Sequence, residues 1–286
     1  MSLLKDRAMN LVSQNFSDLR EPNIQMKKFP DGDNYICLPP ITEKKAVVFH
    51  RLYPEQDTAL IQAVLILDTL KRKGVSATLV SPYLPYARQD KVFKEGEALS
   101  AEVIASILHH AGAKKLITID CHFIKKEGSV EYGGLEILNL SANRLLIQHA
   151  RNLVGEVEVI SPDVGASYLV ESFGGKSMKK TRGEYISGVT AYRKIEKMEM
   201  AFDVHGKNIL ILDDMISTGS TMLKAVENVK KGGAKKVLCA ATHGLFLGDC
   251  LKKLQAVCDH VFVTDSIPSF VSAVSIKPLL NPFLSD

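Results

Sequence analysis

The densest chemistry lies in NILILDDMISTGSTMLKAVENV, residues 208–229. An apolar strand runs into two adjacent carboxylates, Asp213 and Asp214, then into Ser217, Thr218, Gly219, Ser220 and Thr221 before an amphipathic helix begins. Backbone N–H groups at a helix start, joined by hydroxyls, suit a phosphate. Acids beside a phosphate repel it unless they hold sugar hydroxyls or a metal, so the combination points to a phosphorylated sugar with Mg²⁺. Helix capping alone would need one acid or one serine. Two acids and T-G-S-T at a strand end exceed that need, and open α/β sheets bind ligands at that end of their strands.

A second constellation precedes it. Arg88 and Gln89 follow a strand and the aromatic turn Pro82–Tyr86. An Arg there can hold a polyphosphate bidentately, and a Gln amide can read a base edge. His122 closes the strand ITIDCH, where a neutral imidazole can ligate a divalent metal or touch phosphate. Asp163 ends VEVISPD in a turn set by Pro162 and Gly165. The segment GGKSMKKTRGEYISGV, rich in Gly, Lys and Arg, predicts a mobile basic loop or hairpin. Its Gly175, Lys176 and Ser177 imitate the end of a Walker A loop, but the first glycine of that motif would fall at Val170, so the spacing excludes it.

The elements that must position these residues repeat one phrase: a short β-branched run, a polar or glycine turn, a helix with apolar spacing near 3.6, another run. Strands are predicted at 46–50, 76–83, 115–120, 157–163, 208–214, 236–244 and 260–265, with helices at 57–73, 100–112, 220–231 and 249–257. This is the grammar of βαβ units and a parallel sheet. The expected fold is α/β, with two similar doubly wound parallel-sheet lobes: residues 1–140, and residues 141–286 with the last residues able to return to the first lobe.

Composition sets the outer bounds. The chain has 286 residues, 36 Lys plus Arg against 32 Asp plus Glu, and a formal charge of +4, too small a field to argue for nucleic acid or a membrane surface. No apolar run reaches the ~18–20 residues of a membrane span, and the first twenty residues lack the apolar stretch of a signal peptide, so the cytoplasm is expected. Cys37, Cys121, Cys239, Cys250 and Cys258 form no C-x-x-C pair, and most of them read as small core residues.

Residues 208–229 resemble the phosphoribosyl diphosphate (PRPP) loop of the type I phosphoribosyltransferase fold. FPDGD (29–33), PYLPYARQDK (82–91), ALSAEVIASIL (98–108), ITIDCH (117–122), VISPDVGA (159–166), KKTRG (179–183), ATHGLF (241–246) and VTDSIP (263–268) are similar, in order and spacing, to segments of ribose-phosphate diphosphokinases. The resemblance spans about residues 27–270. It implies that ATP and ribose 5-phosphate give PRPP and AMP, with Mg²⁺ as cofactor.

The resemblance also implies roles. ATP would be held by Arg88, Gln89 and His122, with Asp90 and Lys91 as weaker candidates, and by Phe29, Asp31 and Asp33 reaching from a neighbouring subunit. His122 and Asp163 would hold the metal. Lys180 and Arg182 would be the cations of a closing catalytic loop. Asp213 and Asp214 would hold the ribose hydroxyls, and Ser217, Thr218, Gly219, Ser220 and Thr221 the 5-phosphate. A homodimer or hexamer is implied. Three positions depart from the family pattern: Asp33 where Glu is usual, Ala166 where a second glycine is usual, and Ser220 where many synthetases carry Gly. An Ala166 forced to positive φ would cost about a kcal/mol. Two alternatives share these residues: a transferase that consumes PRPP, for which Arg88 and Gln89 would be dispensable, and a catalytically silent regulatory paralogue.

Overall fold

A computed structural model describes residues 8–185 and 193–284, the side chains of 180–185 and 193–198 excepted. The chain divides into two compact units, residues 1–141 with 277–286, and residues 142–276.

The first unit contains β1 (Ala8–Val12), β2 (Gln25–Lys28), β3 (Asn34–Cys37), β4 (Lys45–Phe49), α1 (Gln56–Arg72), β5 (Ser76–Val80), α2 (Ser100–Ala111), β6 (Ala113–Ile119), β7 (Gly128–Tyr132) and β8 (Leu135–Leu140). Its six-stranded sheet has the order β1-β4-β5-β6-β8-β7. All neighbours are parallel except the edge pair β7–β8. Strands covered on both faces read as unbroken apolar runs rather than alternations, which is why KLITI and AVVF resist a period-two reading. Val48, Leu79, Leu116 and Ile137 from four strands pack with Ile66 and Leu70 of α1 and Leu108 of α2. Strands β2 and β3 form a separate antiparallel pair.

Buried polar groups tie the strand ends of this unit. His50, fully buried, donates from Nε2 to the Ala59 carbonyl at 2.8 Å and accepts at Nδ1 from the Ser13 hydroxyl at 2.8 Å. Burial lowers its pKa to about 4, with the Ala59 bond opposing, so the imidazole is neutral. Next to it Arg51 reaches both carboxylate oxygens of Asp18, at 2.6 and 2.9 Å, and lies over the Phe16 ring.

The second unit contains α3 (Asn143–Val154), β9 (Glu158–Ser161), α4 (Tyr168–Glu171), β10 (Lys176–Ser177), β11 (Lys179–Tyr185), β12 (Arg193–Glu199), β13 (Asn208–Ile216), α5 (Ser220–Lys231), β14 (Lys236–Gly244), α6 (Cys250–Val257), β15 (His260–Thr264) and β16 (Ser272–Val274). After it comes α7 (Lys277–Leu280), which belongs to the first unit. The second sheet is parallel throughout, in the order β10-β9-β13-β14-β15-β16. Among the described residues no helix is long and apolar enough to cross a membrane.

The doubly wound α/β expectation matches this architecture, and the helix predicted at 220–231 and the strand at 236–244 coincide with α5 and β14. The strand predicted at 76–83 stops at Val80, because Ser81 turns the chain: its hydroxyl donates to the Tyr83 carbonyl and accepts from the Leu52 N–H.

Candidate active site

In the second unit, β13 delivers Asp213 and Asp214 at its C-terminal end and passes through Ser217–Gly219 into α5. Asp214 and Ser217 are buried, whereas Thr218 and Ser220 are exposed. The Asp214 N–H donates to Asp213 Oδ1 at 2.9 Å, and the Met215 N–H to Asp214 Oδ1 at 2.9 Å. Burial, then the neighbouring Asp214, then Asp163 raise the Asp213 carboxyl well above the usual range. Asp163 is thus brought close enough to this pair to be felt by it, an association across fifty residues of chain that spacing alone does not reveal.

The loop keeps its shape through one glycine. Gly219 is the N-cap of α5 at φ +76°, and a Cβ there would collide with Cys250 Sγ at the start of α6. Its carbonyl accepts the Leu223 N–H at 2.8 Å. From the other side, the Leu245 and Phe246 N–H groups donate to the Ile216 carbonyl and the Leu247 N–H to that of Ser217. The segment after β14 therefore clamps the phosphate-type loop.

This explains why ATHGLF and VTDSIP occur together. His243 Nδ1 meets Ser266 Oγ at 2.9 Å, and the Ser266 and Thr264 hydroxyls both donate to the Thr242 carbonyl, at 2.8 and 2.7 Å. The two motifs are neighbouring strand ends joined by a buried polar network behind the loop, and His243 serves it rather than solvent.

Asp163 follows β9 in a short 3-10 turn, Val164–Ala166. Ala166 is buried, donates its N–H to the Asp163 carbonyl at 3.2 Å, and has no positive φ. The missing glycine therefore costs no backbone strain. Gly175 of the imitation Walker A is a close-approach glycine: a Cβ would lie 2.6 Å from Val170 Cβ and 2.8 Å from the Val159 carbonyl. Lys176 sits on β10, 5.5 Å over the Phe202 ring and 4.0 Å from Glu158. Lys180 and Arg182 lie on β11, paired in register with Met198 and Ile195 of β12. Their side chains fall outside the described residues.

In the first unit, the loop after β5 carries Arg88 and Gln89. Tyr86 takes a left-handed φ of 63° and donates its hydroxyl to Asp57 of α1, and the Ala101 N–H donates to the Gln89 carbonyl at 3.2 Å. Tyr86 and Asp57 lie 29 residues apart, so sequence reading misses this tie. Asp90 is half-buried, and Lys91 beside it is exposed. Both Gln89 amide hydrogens are taken, by the Lys91 carbonyl at 2.9 Å and Glu97 Oε2 at 3.0 Å.

The loop after β6 carries His122, half-buried. Asn139 of β8, buried, accepts the Cys121 N–H at 2.8 Å and donates to the Lys126 carbonyl at 3.0 Å, bracketing the loop at both ends. The signal that could have found it is a lone amide inside the apolar run LEILNL.

Phe29, Asp31 and Asp33 form the tip between β2 and β3. The Phe29 N–H donates to the Asp33 carbonyl at 2.8 Å, and the Asp33 N–H to Asp31 Oδ1 at 3.2 Å. Phe29 is 51% exposed and packs edge-on to Tyr35. The tip offers an aromatic face and two exposed carboxylates.

Two parallel α/β lobes, with a strand, acid pair, glycine cap and helix in the second, define a phosphoribosyltransferase-type fold. A family model of the N-terminal domain of ribose phosphate pyrophosphokinase matches residues 10–112, and one of the phosphoribosyl synthetase-associated domain matches residues 174–279. The ribose-phosphate pyrophosphokinase of Pyrococcus furiosus is 36% identical over 266 residues, 91% of each chain. That of Sulfurisphaera tokodaii is 33% identical over 294 residues, covering 98% of this chain and 99% of its own. A crystal structure of phosphoribosylpyrophosphate synthetase from Mycobacterium smegmatis shares the fold, with TM-score 0.79, 24% identity and 97% of both chains covered. The chain belongs to the ribose-phosphate pyrophosphokinase family.

Proposed function

We propose that this chain transfers the diphosphoryl group of ATP to the 1-hydroxyl of ribose 5-phosphate, giving PRPP and AMP. The observation that carries the reading is the β13–α5 junction, where an acid pair, Asp213 half-buried and Asp214 buried, runs directly into a glycine-capped loop of hydroxyls in a chain of this family. Asp213 and Asp214 accept hydrogen bonds from the ribose 2- and 3-hydroxyls. The N–H groups and hydroxyls of residues 217–221 hold the 5-phosphate at the start of a 12-residue helix, whose dipole favours the anion.

The 1-hydroxyl oxygen attacks the β-phosphorus in line, its proton departs, and the bond from that phosphorus to the α-phosphate bridging oxygen breaks to release AMP. No protein nucleophile is required. Lys180 and Arg182 neutralise charge that builds on the transferring group and on the leaving oxygen, which favours the transition state over the ground state.

The donor chemistry fits Mg²⁺. Asp163 is a hard oxygen donor near enough to the acid pair that, after burial and Asp214, it adds to the rise of the Asp213 carboxyl. Among the described residues no three His, Cys, Asp or Glu side chains gather as a cage, and Mg²⁺ ordinarily takes only one or two protein carboxylates, with water and substrate phosphates completing its shell. Asp163 in the second unit and His122 in the first are each the residue that would hold Mg²⁺, whose charge would neutralise and align the phosphates.

Arg88, Gln89 and Asp90 contact ATP. The exposed tip Phe29–Asp33 completes the ATP site of a neighbouring copy, so the working form is a homo-oligomer in the cytoplasm. The phosphorus NMR spectrum of the purified chain with Mg²⁺, ATP and ribose 5-phosphate tests the reaction. PRPP and AMP should appear together. ADP alone would indicate a simple kinase, and no turnover a silent paralogue.

A further inference from the structure

The loop between Gln89 and α2 has an unusual construction. Lys91–Gly96 are all exposed, including Val92 and Phe93 at 54% each, so no buried apolar side chain anchors the segment. Glu97 gathers it instead. A single oxygen, Oε2, accepts the Phe93 N–H at 2.8 Å, the Lys94 N–H at 3.1 Å and the Gln89 amide at 3.0 Å. The Phe93 bond, with the Lys94 and Gln89 bonds adding to it against desolvation, holds the Glu97 carboxyl below the usual range.

The consequence falls on Gln89. Its two amide hydrogens go to Glu97 and to the Lys91 carbonyl, and neither partner can donate, so the orientation of the amide follows from chemistry. Among the described residues nothing donates to Gln89 Oε1. Main-chain bonds hold the residue in place, from the Ala101 N–H at 3.2 Å and to the Tyr86 carbonyl at 3.4 Å.

We infer that Glu97 is a positioning residue that orders the 89–97 loop and fixes Gln89 as a pure hydrogen-bond acceptor. This rests on the reading of that loop as part of the ATP site. Ionised phosphate oxygens accept and do not donate, so Gln89 so held does not bind the triphosphate. It meets an N–H or O–H of the nucleoside portion, and Arg88 beside it is left as the anion-binding member of the pair.

The test is a double-mutant cycle on the full-length chain, read by ATP calorimetry and by steady-state kinetics. Glu97→Ala and Gln89→Ala should each weaken ATP about tenfold, and the double variant should be only about twofold worse than either, because the two act as a unit. Glu97→Gln retains an acceptor for the same three donors and should recover most of the loss, to within about threefold of wild type. KM for ribose 5-phosphate and the melting temperature should stay at wild-type values, which a merely structural role would not permit. ATP affinity unchanged in Glu97→Ala, or losses that multiply to about a hundredfold in the double variant, would overturn the inference. A wild-type chain that binds ATP and obeys the cycle but forms no AMP would overturn the proposed reaction and leave this inference standing.

Discussion

The two units solve the same problem, presenting polar groups at the ends of parallel strands, by opposite means. In the second unit part of the candidate loop is built into the core: Asp214 and Ser217 are buried, and Gly219 is pressed against Cys250, with Thr218 and Ser220 exposed beside them. In the first unit they stand on half-buried or exposed loops held by side chains that bond to main chain. Asn139 brackets the His122 loop, Glu97 gathers the Gln89 loop, and the Phe29–Asp33 tip closes on itself. A small, rigid sugar phosphate suits a preformed pocket. A long nucleotide polyanion suits separable loops that adjust independently. Disturbing the second unit should therefore cost much stability along with activity, whereas disturbing a first-unit loop should cost activity with little stability.

The largest effect is expected at Gly219. Its Val variant must hold a β-branched residue at φ +76° against Cys250, and should lose roughly 3 kcal/mol of stability along with activity. A stable variant that has lost only affinity for ribose 5-phosphate would break the contrast. Acid should act on the first unit through His50, about 3 kcal/mol for a group held near pKa 4 when folded and near 6.5 when unfolded. Because folding depresses this pKa, protonation favours the unfolded chain. The stabilisation is whole above pH 6.5 and drains as pH falls towards 4. Denaturation midpoints across that range should fall more steeply for wild type than for His50→Asn, and equal slopes would discard the assignment.

On the proposed mechanism, in which its charge matters most in the transition state, Lys180→Ala should lower kcat by at least ~10²-fold with KM little changed. An unchanged kcat removes Lys180 from the mechanism. The smallest effect sharpens the comparison most. Asn139→Ala should raise KM for ATP about tenfold through the His122 loop while costing only about 1–2 kcal/mol of stability. If ribose 5-phosphate suffers equally, the loops of the first unit are not the independent parts described above.

Much of this was legible in the chain. Apolar runs and 3.6-residue periodicity located β14, α5 and both flanks of the acid pair to within a residue or two, because these elements are set by local pattern and burial. The T-G-S-T cap was legible because only glycine tolerates that φ cheaply. The doubt over Ala166 dissolved in three dimensions: that residue lies in a 3-10 turn and needs no positive φ. Gln89 looked able to offer either face of its amide, and the loop takes one away. Ties such as Tyr86 to Asp57, Asn139 to Cys121 and His243 to Ser266 join residues 18 to 29 positions apart. No local pattern encodes such a pairing.

By itself the sequence determined the α/β class, the repeated βαβ grammar and the identity of the groups able to do chemistry, because these follow from side-chain type and periodicity. The tertiary structure alone decided which of those groups feel one another: Asp163 beside the acid pair, Cys250 under Gly219, Glu97 on Gln89. The physical reason is that hydrogen bonding and electrostatic coupling fall off over a few ångströms in space, and strand order, not chain order, sets those distances.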